Sequence, residues 1–570
     1  MNIRQTLDSH ISKTMAEISG EPDCMALVNH SKTSQFGDYQ VNGVMALAKR
    51  LGQNPRQLAQ KLIDKLELGA IAEKIELAGP GFINIFIDPG FLTKELNALD
   101  KTRLVNPSQH KQTIVIDYSS PNLAKEMHVG HLRGTIIGDA IARTFEWMGH
   151  TLIRQNHFGD WGTQFGMLIS HMMELNDPET ELANLEVFYR AAKARFDSDP
   201  EFAATARENV VKLQSGDKQC LALWNKFITV SIQHCQELYT KLNITLTAQD
   251  IVPESFYNDK LLGILESLDQ QGLLVESDGA RCVFLDDFKN KEGNPLPTII
   301  QKSDGAYLYA TTDLAGIQHR CQNLHANRVL YVVDARQGLH FQQVFAIAKL
   351  AGFASDQCSL EHISYGTMMG KDGKPFKTRS GDTVKLIDLI EEGIERAQAL
   401  VEEKNPALSE SEKQNIAKVV GISAIKYADL SKNRNSDYIF DWDNMLSFEG
   451  NTAPYLLYAY ARIQSIFKRE KLNTESDFLI SITLAEEKEL ALKLLQFTEV
   501  VEALIADCYP NQLCLYLYEL AGNFMSFYEA CPVLKSAGTV KESRLGLCQL
   551  TAFTLQQGLA LLGIETLEQM

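Results

Sequence analysis

His128 and His131 flank Gly130 in the stretch "SSPNLAKEMHVGHLRG", Ser119 to Gly134. Two imidazoles three residues apart, at the mouth of a helical apolar run, suit an anion. A helix start presents unpaired backbone N–H groups and the positive end of the helix dipole. The imidazoles add donors beside it, and a glycine removes the side chain that would block close approach. The stretch reads as a cradle for a triphosphate. An isolated histidine pair at this spacing is more often a surface or capping feature. Here a buried strand precedes it, with Pro121, Asn122 and Lys125 just upstream, and that context favours phosphate chemistry.

Other chemistry-bearing residues lie further along. In "YLYATTDLA", Tyr309 and Asp313 are four apart and share one face if the segment is helical. "GDWGTQFG", Gly159 to Gly166, is a glycine-rich loop after a strand, a weak signal by itself.

These residues need a scaffold. "TIVIDYSS", Thr113 to Ser120, is a β-branched run that predicts a buried strand. "GHLRGTIIGDAIARTFEWMGH" has a helical period that stops near Gly149, and "TLIRQNHFGDWG" returns to a strand. Strand, helix, strand is a βαβ unit. "RVLYVVDARQGLHFQQVFAIAKLAG" repeats it, so one doubly wound parallel sheet is expected over 111–384, interrupted by an insertion of about 170–300. In such sheets ligands bind at the carboxyl ends of the strands. Residues 1–105 mix helical periods with an alternating strand, a small α+β domain. From about 385 the pattern is helical, with a connecting region to 450 and an all-α bundle over 451–570.

Composition sets the class. The 570 residues are 45% hydrophobic and 22% charged, ordinary for a folded multidomain chain. A net charge of −17 argues against non-specific duplex binding but leaves room for a local basic groove. The ten cysteines include no Cys-x-x-Cys pair, and the closest two, Cys508 and Cys514, fit neither a zinc ribbon nor a redox motif. No apolar run approaches the roughly 20 residues of a membrane helix. The expectation is a soluble cytoplasmic protein.

His128-Val129-Gly130-His131 resembles the HIGH signature of class I aminoacyl-tRNA synthetases. With "GDWGTQFG", "YLYATTDLAG", "DARQGLHFQQ", "GKPFKTRSG" and "NTAPYLLYAYARIQSIF", the chain closely resembles the arginyl-tRNA synthetase family from end to end. The resemblance implies a Rossmann-like catalytic domain, an N-terminal domain that contacts the tRNA elbow and an anticodon-binding bundle. It implies two steps: arginyl-adenylate formation from ATP, dependent on tRNA, then transfer to a ribose hydroxyl of the terminal adenosine.

Residue roles follow from the same resemblance. His128, Gly130 and His131, with Gly159, Asp160 and Gly162, would form the ATP pocket. The second class I signature, KMSKS, is degenerate here: Thr378 stands at its second lysine. Lys125 is the implied substitute, assisted by Lys377 and Arg379. The guanidinium would meet Tyr309, Asp313 and Glu254, where Pro253 departs from the family's glycine. The α-amino and carboxyl groups would meet Asn122 and Gln337, and Asp117 is a further acidic candidate. Phe82 and Asn84 would hold a D-loop base, and Tyr458 and Arg462 the anticodon. Magnesium is expected to arrive with ATP, no tightly bound metal is expected, and the family suggests a monomer. The competing readings are another class I synthetase, a shorter adenylate-forming nucleotidyltransferase, and a non-catalytic tRNA-binding paralogue.

Overall fold

The computed structural model describes residues 1–31, 33–101, 103–175, 185–376, 384–472 and 477–570. They divide into two compact units, one of Ser108–Leu446 with Leu561–Ile564, the other of Met1–Pro107, Ser447–Ala560 and Glu565–Met570.

The second of these units begins with a helix, Ile3–Ser19, and an antiparallel sheet. Its strands are β1 (Val28–His30), β2 (Tyr39–Val41), β3 (Ala72–Ala78) and β4 (Phe82–Ile87), in the order β1-β2-β4-β3. Its helical part holds Ala453–Glu470, Ala485–Leu495, Phe497–Asp507, Pro510–Ala530 and Gly538–Leu561. Glu499, 2% exposed, accepts a 2.8 Å hydrogen bond from the buried Tyr39 hydroxyl and so fastens the sheet to the helices.

The other unit is built on a parallel sheet of β5 (Thr113–Asp117), β6 (Thr151–Gln155), β10 (Arg328–Tyr331) and β11 (Ser359–His362). The order β11-β10-β5-β6 places a topological switch between β5 and β10. Ile114, Val115 and Ile116 are fully buried, as the β-branched run predicts. The strand is shorter than the predicted Thr113–Ser120. Ser119 and Ser120 take left-handed backbone at φ 69° and 43°, which ends the ladder at Asp117 and turns the chain.

The Leu132–Trp147 helix links β5 to β6, and the Gly338–Leu350 helix links β10 to β11. Gly138 lets the first of these approach the sheet, because a Cβ there would lie 2.3 Å from the Tyr118 Cβ. The insertion contains the helices Leu185–Ser198, Pro200–Gln214, Lys218–Lys241 and Leu261–Gln270. It ends in an antiparallel sheet of β7 (Val275–Ser277), β8 (Ala280–Lys289) and β9 (Pro295–Gln301). Among the described residues no helix is long and apolar enough to cross a membrane.

Candidate active site

The segment between β5 and its helix forms a tight cap. His128 is in extended backbone and precedes a single 3-10 turn, Val129–His131. Its Nδ1 accepts the Gly130 N–H at 3.0 Å, and its own N–H donates to His131 Nδ1 at 3.1 Å. Both rings are therefore unprotonated at Nδ1, and each neutral ring carries its proton on Nε2. Burial lowers the pKa of both, reinforced by Lys125 at His128, and that of His131 falls to about 3. The pair offers two neutral N–H donors rather than two positive charges. The rings lie 4.0 Å apart. Gly130 is required here, because a Cβ would meet His128 Cε1 at 2.7 Å.

Two neighbouring segments fix this cap. Val129 N–H donates to Val384 O at 3.1 Å and Leu386 N–H to Met127 O at 3.0 Å. The chain leaving the degenerate signature loop thus runs along the histidines, and Lys385 pairs with Glu126 at 2.9 Å. Lys377, Thr378 and Arg379 lie outside the described residues. Lys125 Nζ sits 4.5 Å from the Tyr189 ring centre, over its face. Arg133, 2% exposed, pairs with the fully buried Asp429 at 3.1 Å and anchors the helix that carries His131.

An acidic group gathers beside the carboxyl ends of β5 and β6. Asn122 bridges Gly159, and the Leu123 and Gly159 N–H groups donate to Gly159 O and Pro121 O. Asp160, 1% exposed, accepts from the Ser255 N–H at 2.9 Å and hydroxyl at 2.5 Å, which fixes the turn that carries Glu254. Gly162, at φ 119°, leads into the helix that follows this loop. Burial, then the charges of Asp160 and Asp313, push the Glu254 carboxyl up to about 7. Asp313 bonds His340 Nε2 at 2.6 Å, and the Tyr309 ring meets the His340 ring edge-on at 4.7 Å. Tyr309 opens the Tyr309–Gln318 helix, so it and Asp313 do share a face. Gln337 closes a 3-10 turn and is exposed.

Asp117 is placed differently. Its carboxylate is taken by the buried Arg320 at 2.6 Å and by the Ser120 hydroxyl at 2.7 Å. That charge is neutralised within the fold and is not offered to a ligand. The sequence alone does not mark Arg320, His340, Ser255 or Tyr189. Of these, His340 lay in a quoted motif, "DARQGLHFQQ", three residues beyond Gln337.

In the other unit, Asn84 is 3% exposed, its Oδ1 accepting from Gln40 at 2.9 Å, and Phe82 is half-buried at the start of β4. Tyr458, 42% exposed, accepts from Arg462 at 3.3 Å, and the Arg462 guanidinium stacks 5.0 Å from the Tyr528 ring centre. Tyr528 extends the expected pair into a surface stack. Among the described residues no group of three or more His, Cys, Asp or Glu is arranged to hold a metal ion.

Residues 95–442 match the family described as tRNA synthetases class I (R), catalytic domain. Residues 2–87 match the arginyl tRNA synthetase N terminal domain, and 456–570 the DALR anticodon binding domain. The chain is 56% identical to an arginine–tRNA ligase of Marinomonas sp. (strain MWYL1) and 55% identical to one of Haemophilus influenzae (strain PittEE), over 100% of each chain. It superposes on the arginyl-tRNA synthetase of Plasmodium falciparum with a TM-score of 0.88 at 32% identity, covering 100% of this chain and 99% of that one. The Thermus thermophilus enzyme gives a TM-score of 0.84 at 26% identity, with 100% of both chains covered.

Proposed function

This chain belongs to the arginyl-tRNA synthetase family, and on that premise we propose that it attaches L-arginine to its cognate tRNA in an ATP-dependent reaction through an arginyl-adenylate. The observation that carries the specificity is Glu254. It is a carboxyl held up to about 7 by burial and by two neighbouring carboxylates, Asp160 and Asp313. Such a cluster is unfavourable until a cation enters it. A guanidinium is permanently charged and planar, and its fork of donors matches carboxylates. Glu254 and Asp313 bind it, Tyr309 flanks it, and Asn122 and Gln337 hold the α-amino and carboxyl end.

The arginine carboxylate attacks the α-phosphorus of ATP, the bond to the bridging oxygen breaks, and pyrophosphate leaves. Charge builds on phosphate oxygens, and the Nε2–H groups of His128 and His131 donate to them beside the helix start. These donor bonds strengthen as the charge builds, so they favour the transition state over bound ATP. Lys125 supplies the mobile charge in place of the missing signature lysine, with Lys377 and Arg379 assisting from the loop. Gly159 and Gly162 shape the adenosine pocket, and Asp160 acts by holding the Glu254 turn. A ribose hydroxyl of the tRNA's terminal adenosine then attacks the arginyl carbonyl, and AMP leaves. Magnesium comes bound to ATP.

Phe82 meets a D-loop base, while Asn84, buried and bonded to Gln40, supports that strand from within, and Tyr458 and Arg462 meet the anticodon. The working protein is a cytoplasmic monomer. The test is Glu254→Gln. Its KM for arginine rises tenfold or more, a loss of about 1.4 kcal/mol or more of binding, while its KM for ATP stays within twofold. An unchanged arginine KM rejects the carboxylate pocket.

A further inference from the structure

Cys321 and Cys358 are 37 positions apart in sequence, yet their sulfurs are 2.8 Å apart. Cys321 lies in a π-helical turn, His319–Asn323, that extends the Tyr309–Gln318 helix. Cys358 immediately precedes β11 and packs in the core beneath β10 and β11. Cys321 is partly exposed and Cys358 is 4% exposed, so the pair reaches solvent through Cys321. The separation is inside the contact distance of two unbonded sulfurs, and bonding asks only a sub-ångström adjustment. The close contact with Cys321 and the charge of Lys349 favour the thiolate at Cys358 against its burial, while the same contact and burial raise Cys321.

We propose that Cys321 and Cys358 form a reversible redox pair that traps hydrogen peroxide as a disulfide and so protects the sheet core from irreversible sulfur oxidation. The Cys358 thiolate attacks one peroxide oxygen, the O–O bond breaks, and hydroxide leaves to take up a proton as water. Cys358 is then a sulfenic acid. The Cys321 sulfur attacks it, an S–S bond forms, the S–O bond breaks, and a second water leaves with the Cys321 proton. Two thiols and one peroxide give one disulfide and two waters. Without a partner, Cys358 would proceed to sulfinic acid. A charged sulfinate in that core would carry a large desolvation cost. It would also lie against Cys321, which directly follows Arg320, the residue that holds Asp117 at the end of β5.

The test oxidises the full-length protein with hydrogen peroxide, caps free thiols and maps the peptides by mass spectrometry. The expected product is a Cys321–Cys358 cross-linked peptide, lighter by two hydrogens and restored by dithiothreitol. In Cys321→Ser, Cys358 advances to sulfinic acid, and dithiothreitol does not recover it. Separate capping of Cys321 and Cys358 in the oxidised wild type overturns the proposal. So does equal sulfinic acid at Cys358 in wild type and variant. Neither result bears on the arginine reaction, which is read separately.

Discussion

At the residue scale, Glu254 joins burial, charge and substrate recognition in one titration. Its carboxyl is raised to about 7, so the free protein favours the protonated form. The sign for stability follows. The fold gains nothing from Glu254 ionisation, and stability falls as pH rises from the ordinary carboxyl range to about 7, then levels off. Arginine reverses the preference, because the guanidinium favours the carboxylate. Binding below about pH 7 therefore releases a proton, and arginine affinity rises up to about tenfold per pH unit until that point, then flattens. Calorimetric titration against pH checks this, and Glu254→Gln flattens the profile. His131 gives a contrasting expectation. At about 3 its pKa lies below the working range, so it adds no acid limb to the rate profile. His131→Ala loses an N–H donor and costs roughly 10²–10³ in kcat for adenylate formation. Spacing marks the histidine pair and the Tyr309–Asp313 face in the sequence, whereas Glu254 is marked there only through the family resemblance. The pairing of Asp117 with Arg320 is not marked at all, because 203 positions separate them and only the folded sheet brings them together.

At the element scale, the site depends on how the Leu132–Trp147 helix is anchored. Arg133 follows His131 by two positions and pairs with Asp429 of the Glu410–Leu430 helix at full burial. It also donates to Ser436 O at 3.0 Å. Removing one partner of a buried pair leaves an uncompensated charge, so Asp429→Ala is expected to cost about 3–5 kcal/mol. A thermal melt of the variant should shift down by several degrees, and an unchanged midpoint rejects the anchor. The βαβ order was readable from periodicity, because buried parallel strands are continuous apolar runs. The end of β5 was not. Ser119 and Ser120 have ordinary side chains for a strand end, and their left-handed backbone follows from tertiary bonds. The Ser119 hydroxyl bonds Thr135 and Tyr239, both at 2.8 Å, and the Ser120 N–H bonds Asn156 at 3.0 Å.

At the scale of the whole molecule, a chain with net charge −17 handles a polyanion. Recognition must then rest on local features rather than on total charge. The Tyr458–Arg462–Tyr528 group is such a feature, with Tyr458 exposed at its outer end. Tyr458→Ala should raise the KM for tRNA about 5- to 100-fold, the range of one lost base stack, without moving the KM for arginine. Filter binding of labelled tRNA would separate that loss from a catalytic defect. Arginine specificity with tRNA as co-substrate is the property that defines the reaction. ATP–pyrophosphate exchange, measured with each of the twenty amino acids, with and without total tRNA, tests it most directly. Exchange is expected with arginine alone, and only when tRNA is present. Exchange driven by another amino acid would contradict the arginine pocket, and no exchange with tRNA bound would contradict catalysis itself.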